Sequence, residues 1–311
     1  MGSRYNLQST IYNRAERAIA WLRSDQRPSG ELPTFTARRP DMSDARPYAC
    51  CVYTTTFVIH ALARLSHIPE AVAVREAAGG FLRTEANGDG SWSYEGRATH
   101  RVPPDLDDTA CATAALIGLG ERPGLGFYQQ LWENESAPGG PYFTWLGVNG
   151  IVGHLLARQV DALVQANVLL CASMAGLELP GVVSYLLDVV ARDDLAMASD
   201  YCITSHLLVY AIARAYADGP APALAPALPA LRVAATALPT GSAFELACQA
   251  AALISLGAPG DARLGDLLDA QLPNGSWPMA AAYSGYPPHL DGAPALTTAI
   301  ALDALGRGTL C

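Results

Sequence analysis

Two kinds of helical segment alternate along this chain. Six stretches are apolar around nearly their whole circumference and rich in small residues: "YTTTFVIHALARL" from Tyr53, "DDTACATAALIGLG" from Asp107, "DALVQANVLLCASMAGL" from Asp161, "YCITSHLLVYAIARAYA" from Tyr201, "AFELACQAAALISLG" from Ala243 and "ALTTAIALDALGRG" from Ala295. Between them lie segments with one polar face, predicted as helices over Asn13–Ser24, Glu70–Thr84, Phe127–Asn134, Gly181–Arg192, Pro222–Leu238 and Asp261–Ala270. A helix that is apolar all round must be buried on all sides, whereas one with a polar face covers a core and meets water. Many of the apolar segments open near Asp, Ser or Thr and close on Gly, the residues that satisfy free helix ends.

Three of the polar-faced segments end in a repeated turn. It reads "RAIAWLRSDQRPSGEL" from Arg17, "AAGGFLRTEANGDGSW" from Ala77 and "RLGDLLDAQLPNGSW" from Arg263. Gln26 and Gln271 stand six residues before Leu32 and Trp277, and Gly30, Gly90 and Gly275 occupy one common position, where a positive φ is expected. Six apolar and six amphipathic helices pack most simply as an inner ring wrapped by an outer ring, so the expected fold is all-α, an α6/α6 double-ring barrel, in one domain over residues 1–311. An open solenoid of helix pairs would call for polar capping segments, yet the last apolar segment is as apolar as the first.

Composition narrows the functional classes. Half of the 311 residues are hydrophobic, 16% are charged and the formal net charge is -9. Scattered basic residues on an acidic chain argue against a nucleic-acid partner. Seven cysteines, mostly inside apolar segments (Cys51, Cys111, Cys171, Cys202, Cys248) and without paired spacing, are expected as buried thiols rather than disulfides or zinc ligands. No apolar leader opens the chain and no apolar run of roughly 18 residues occurs, so a cytoplasmic protein is expected.

The motif that invites chemistry is "DLDD", Asp105–Asp108, at the start of the second apolar helix. Carboxylates this close oppose one another's ionisation, yet Asp at a helix start is also an ordinary cap. DLDD followed by Thr109-Ala110, together with "QLPNGSW" at Gln271–Trp277 and "ANGDGSW" at Ala86–Trp92, resembles class II terpene cyclases and their squalene-cyclase relatives, with Ala86 replacing a Gln. The resemblance implies that Asp107 is a general acid that protonates an isoprenoid alkene or epoxide, with Asp105 and Asp108 helping it keep its proton until a carbocation cyclisation begins. Such a cation calls for aromatic faces, and Trp92, Tyr94, Phe143, Trp145, Tyr201, Tyr283 and Tyr286 fall near helix starts where they would surround one mouth of the barrel.

Polar residues inside apolar helices complete the candidates. Asn167, His60 and His206 need partners if buried, and His154 and Asn149 lie in a Gly-rich stretch; each is a candidate to orient Asp107 or to take the final proton. His60 and His206 have no ligand beside them in sequence, so no metal centre is expected from them. By that resemblance the expected substrate is a prenyl diphosphate such as farnesyl or geranylgeranyl diphosphate, or else a prenylated small molecule, with Arg97 and Arg101 as diphosphate anchors and Mg²⁺ as cofactor if that head group is used. Glu31, Asp41, Asp44, Arg38 and Arg39 flank loops on the same side. The chain departs from the family pattern in having one barrel rather than two and no clean acidic Mg²⁺ motif, which leaves an open mouth, a lid, a peripheral membrane contact or a homodimer to complete the site. "DDLAM" at Asp193 lacks the final acid of an ionisation-type cyclase, and the zinc ligands of a protein prenyltransferase are not found. The competing reading is a non-catalytic barrel that binds a lipid-like ligand or a partner protein, with DLDD as caps.

Overall fold

In a computed structural model that describes residues 2–99, 101–147, 158–258, 261–285 and 289–309, the apolar segments form α2 (Tyr53–Leu62), α4 (Leu106–Gly118), α6 (Ala162–Met174), α8 (Ser205–Ala217), α10 (Ala243–Ser255) and α12 (Pro294–Thr309). The polar-faced segments form α1 (Gly2–Asp25), α3 (Pro69–Glu85), α5 (Leu125–Glu133), α7 (Pro180–Ala191), α9 (Leu228–Ala237) and α11 (Asp261–Asp269). Each even-numbered helix packs on the next, and α12 packs back on α2, so the inner ring closes. Every odd-numbered helix lies against the inner ring from outside. The first eleven residues of α6 are all buried, which is why that helix has no polar face in the sequence. The fold is the expected all-α double ring; among the described residues no helix is long and apolar enough to cross a membrane.

The repeated turn is what joins the rings. Gln26 donates from Nε2 to the Gly30 carbonyl (2.9 Å) and Gln271 to that of Gly275 (2.7 Å). The backbone N–H of Leu32, Trp92 and Trp277 donates to the hydroxyl of Thr55, Thr109 and Thr298 on the following inner helix, at 3.0–3.1 Å. The indoles of Trp92 and Trp277 donate to Leu82 and Leu267 carbonyls on α3 and α11. A fourth, degenerate copy follows α5, where the Tyr142 N–H donates to Gln165 Oε1 (2.8 Å); its Gly-Pro-Tyr wording hid it from the sequence comparison. Gly30 has φ +95 and a Cβ there would lie 2.0 Å from the Ala77 carbonyl oxygen of α3. Gly30→Ala is therefore expected to destabilise by about 1–3 kcal/mol, read as a lowered midpoint in thermal unfolding followed by circular dichroism.

Three details differ from the sequence expectation. α8 begins at Ser205 rather than Tyr201, because the Tyr201–Thr204 backbone pairs instead with the chain around Tyr283: Ser284 N–H donates to the Tyr201 carbonyl (2.9 Å). Pro222–Ala227 is a 3₁₀ turn ahead of α9, since Pro226 removes a helical donor. Strands of two to four residues, β1 (Phe35–Ala37), β2 (Arg46–Pro47), β3 (Tyr283–Gly285) and β4 (His289–Gly292), form an antiparallel sheet in the order β2-β1-β4-β3. They are too short to show a period of two. The sheet lies in the loops that lead into α2 and α12, on the side where the inner helices begin.

Candidate active site

The DLDD motif sits where α4 starts, clamped between two loops. Asp105 is extended and bridges the chain at Trp92 on one side and Trp145 on the other, while the Leu106 N–H donates to the Thr144 carbonyl (2.7 Å). Asp105 is the cap: its Oδ1 accepts from the Asp108 N–H at 2.7 Å. Both residues are buried. Burial pushes Asp105 up to about 6, against hydrogen bonds from Asp108 that pull it down. Burial also raises Asp108 well above the usual carboxylate range, helped by the charge of Asp105 beside it.

Asp107 is different in every respect. Its carboxylate takes no part in the cap, it is half-buried where its neighbours are fully so, and its Oδ1 accepts from Asn167 Nδ2 on α6 at 2.8 Å. Burial and then the charge of Asp105 raise its carboxyl to about 7, against the pull of the Asn167 bond and the Arg214 cation. The Asn167 amide is oriented in turn by Arg214 of α8, whose guanidinium donates to Asn167 Oδ1 at 2.6 Å. Arg214 lies across the barrel on the ring of Phe57 from α2, 4.6 Å from its centroid, and 5.5 Å from that of Tyr210. Asp107 is thus an acid that holds its proton near neutrality, one hydrogen bond from a polar relay.

Aromatic groups stand beside it on the mouth side. Tyr53 packs on Phe57, Tyr94 and Tyr283 with centroids 5.1, 6.4 and 5.0 Å away, and the Asp107 charge is one of the causes that hold its phenol protonated, after burial. Tyr94 and Tyr48 donate to the buried Asp291 of β4 at 3.0–3.1 Å, whereas the hydroxyls of Tyr53 and Tyr283 have no hydrogen-bond partner among the described residues. Trp145 and Tyr201 meet edge to face at 6.4 Å and share the Gln159 side chain. The structure therefore brings Asp105, Asp107, Asp108, Asn167, Tyr94, Tyr283, Trp145 and Tyr201 to one end of the barrel. Trp92 also lies there, but its indole is turned to α3 as part of the repeat turn. Phe143 is half-buried, with its N–H on the Asn134 carbonyl at the end of α5. Tyr286, Asn149 and His154 lie outside the described residues.

Tyr53, Phe57 and Arg214 join this group without having been candidates from the sequence. Arg214 left a signal: a lone cation inside the otherwise apolar "VYAIARAYA", four residues after Tyr210. His206, one turn before Tyr210 on the same face of α8, is buried with neither ring nitrogen hydrogen-bonded among the described residues, and burial lowers its pKa.

The proposed anchors for a diphosphate are on the surface. Arg97 is exposed, and Arg101 is exposed and ion-paired with Glu95. The acids near those loops already accept hydrogen bonds within the protein. Glu31 is committed to Arg27 and to the Cys51 N–H, Asp44 accepts from the Arg38 and Arg39 N–H groups, and Asp41 accepts from that of Ser43. At the far end of the barrel, His60 does acquire carboxylate neighbours that its place in sequence concealed: Nε2 lies 2.8 Å from Asp218 at the end of α8, and His60, Asp218 and Asp303 converge within 4.8 Å. Arg64 and Arg307 already pair both carboxylates, so a divalent cation placed there would meet two guanidiniums, and the cluster suits an ion-pair lock instead.

The double ring of helices is a fold shared with a solved type II terpene cyclase. Among solved structures it is similar to the type II terpene cyclase MstE from Scytonema: a variant in complex with geranylgeranyl dihydroxybenzoate (substrate) aligns over 98% of this chain and 99% of that one, with a TM-score of 0.72 and 18% identity. Another MstE variant, in complex with merosterolic acid A (product), aligns over the same shares with a TM-score of 0.70 and 18% identity. A protein from Actinoplanes aligns over 96% of this chain and 100% of that one, with a TM-score of 0.73 and 20% identity. No family model and no curated protein sequence matches the chain.

Proposed function

We propose that this chain is a class II, protonation-initiated terpene cyclase that acts on a linear isoprenoid, with Asp107 as general acid. The observation that carries the reading is the division of labour within DLDD: Asp105 does the capping, which leaves Asp107 accessible, protonated near neutrality and without a structural task. A binding barrel with DLDD as caps would not need the third acid.

In the reaction the Asp107 O–H proton passes to a terminal alkene carbon. The alkene π pair forms the new C–H bond and the O–H pair stays on the carboxylate. Asn167 donates to Oδ1, so Oδ2 is the oxygen that carries the proton. The cation left behind advances along the chain as successive alkenes attack it, and the Tyr53, Tyr94 and Tyr283 faces stabilise it without capturing it. Loss of a proton ends the cascade. His206 on α8, buried and with neither ring nitrogen hydrogen-bonded among the described residues, is suited to receive it. The complexes of MstE with geranylgeranyl dihydroxybenzoate and with merosterolic acid A support a chain of geranylgeranyl length bearing a polar head group. That head group is a diphosphate or a prenylated aromatic.

The test is a product assay by mass spectrometry with geranyl, farnesyl and geranylgeranyl diphosphates, squalene and a geranylgeranylated hydroxybenzoate, with and without Mg²⁺. A cyclised product isomeric with its substrate is expected; conversion of none of these by folded protein would favour the binding-module reading. Because only protonated Asp107 can act, kcat/KM should be level at acid pH and fall as pH rises through about 7. A flat profile from pH 6 to 9 would remove Asp107 from the acid role.

A further inference from the structure

The guanidinium of Arg214 is an unusual object to find inside a ring of apolar helices. The residue is 3% exposed, its Nε has no hydrogen-bond partner among the described residues, and two aromatic rings cover it. A buried cation is costly unless it is paired. Asp218, one turn further along α8, is held by His60, Arg64 and Arg307. The other carboxylate it can act on is Asp107, through the single amide of Asn167.

That arrangement has two consequences. Arg214 can only donate, so the atom of Asn167 that faces it must be the oxygen, and the atom that faces Asp107 must be the NH₂ group. An unconstrained amide could turn over and accept from the acid, which would point the proton into the relay instead of at substrate. The cation also gains a partner when Asp107 ionises, so it stabilises the state that follows proton transfer more than the state that precedes it.

We infer that Arg214 is the positioning residue of the acid: it locks the Asn167 amide so that Asp107 Oδ2 carries the proton, and it supplies the counter-charge for the carboxylate left by proton transfer. This inference rests on the cyclase reading for its catalytic part only, since the coupling between Arg214 and Asp107 exists without substrate. The other groups acting on Asp107 are Asp105 and Asp108 beside it, Asp161 at the start of α6, Tyr53 on α2, Cys111 on α4 and Cys202 before α8. Arg214 is the cation in this set.

The experiment titrates Asp107 in substrate-free protein, by carboxyl ¹³C resonances identified through their absence in Asp107→Asn. It uses wild type, Arg214→Lys, and Arg214→Gln and Arg214→Met, two replacements that still fill the space on Phe57 and Tyr210. The Asp107 midpoint should move up by about one pH unit in the Gln and Met variants and stay near wild type in Arg214→Lys. In turnover, the alkaline limb of kcat should move up with it while the plateau falls about 10- to 100-fold and KM changes little. A purely structural role would lower activity without moving the limb. Should neither uncharged variant fold, the ¹⁵N shifts of the Arg214 guanidinium in wild type serve instead: they should follow the Asp107 titration. An unmoved Asp107 midpoint in a folded variant, or guanidinium shifts blind to Asp107, overturns the inference. Wild type that shows the coupling but cyclises nothing would keep it and overturn the cyclase reading.

Discussion

Asp107→Asn should fold normally and lose cyclisation by about 10³-fold or more, measured as product formed per enzyme under single-turnover conditions. Asn matches Asp in shape and can still meet Asn167, but it has no proton to give, and general acids are worth factors of 10² to 10⁴. The loss should be at the high end, since an alkene offers no other group through which to begin. Asp105→Asn should behave differently. It weakens the α4 cap and removes the charge that raises Asp107, so it should lower stability and move the alkaline limb of activity to lower pH. The same Asp107 substitution has a signature without substrate. The folded carboxyl is raised from its ordinary 3.8 to about 7. The stability it contributes is therefore present below about 4 and is lost as pH rises through 7. The variant has no such loss, so its melting temperature relative to wild type should climb between pH 5 and pH 8.

The second large effect is at the opposite end of the barrel. Asp303 is fully buried and accepts from Arg64 Nε (3.1 Å), Arg307 Nε (2.9 Å) and the Tyr210 hydroxyl (3.0 Å). It ties α2's trailing turn, α8 and α12 together across the ring. Asp303→Ala would leave two guanidiniums to one carboxylate and a phenol without a partner, and breaking a buried pair in this way costs about 3–5 kcal/mol. Urea unfolding should show it as a lowered midpoint with an unchanged slope. Asp188→Ala, which removes an ion pair with Arg192 whose side chains are 67% and 73% exposed, is the control and should cost well under about 1 kcal/mol. Asp218 and Asp303 are both held below the usual carboxylate range by their cationic partners, against the cost of burial. Their contribution is complete above about 4 and is lost as pH falls further, so acid should loosen this end of the barrel first.

Much of the fold was legible in the chain. Periodicity separated helices buried on all sides from helices with a wet face, and the spacing of Gln26, Gly30 and Leu32 against Gln271, Gly275 and Trp277 identified a turn whose hydrogen bonds recur in the structure. These signals are local, and local sequence carries local geometry. The short sheet was not legible, since β1 pairs with β4 from the other end of the chain. His60 was assigned no carboxylate neighbour because Asp218 is 158 residues away. The Asp107–Asn167 and Arg214–Asn167 bonds join residues 60 and 47 apart. No window of sequence contains both ends of either bond.

The sequence by itself determined that twelve helices alternate, that the inner six are apolar, that turns of one design join the rings, and that three carboxylates meet at one helix start. Tertiary structure alone decided which of those carboxylates caps the helix and which instead meets Asn167 across the ring. It also decided that a buried arginine stands behind the acid and that an ion-pair lock closes the other end. The reason is physical. Helix and turn formation depend on neighbours along the chain, whereas the ionisation of a carboxyl depends on every charge, dipole and water it meets in space, and those are set only when the ring closes.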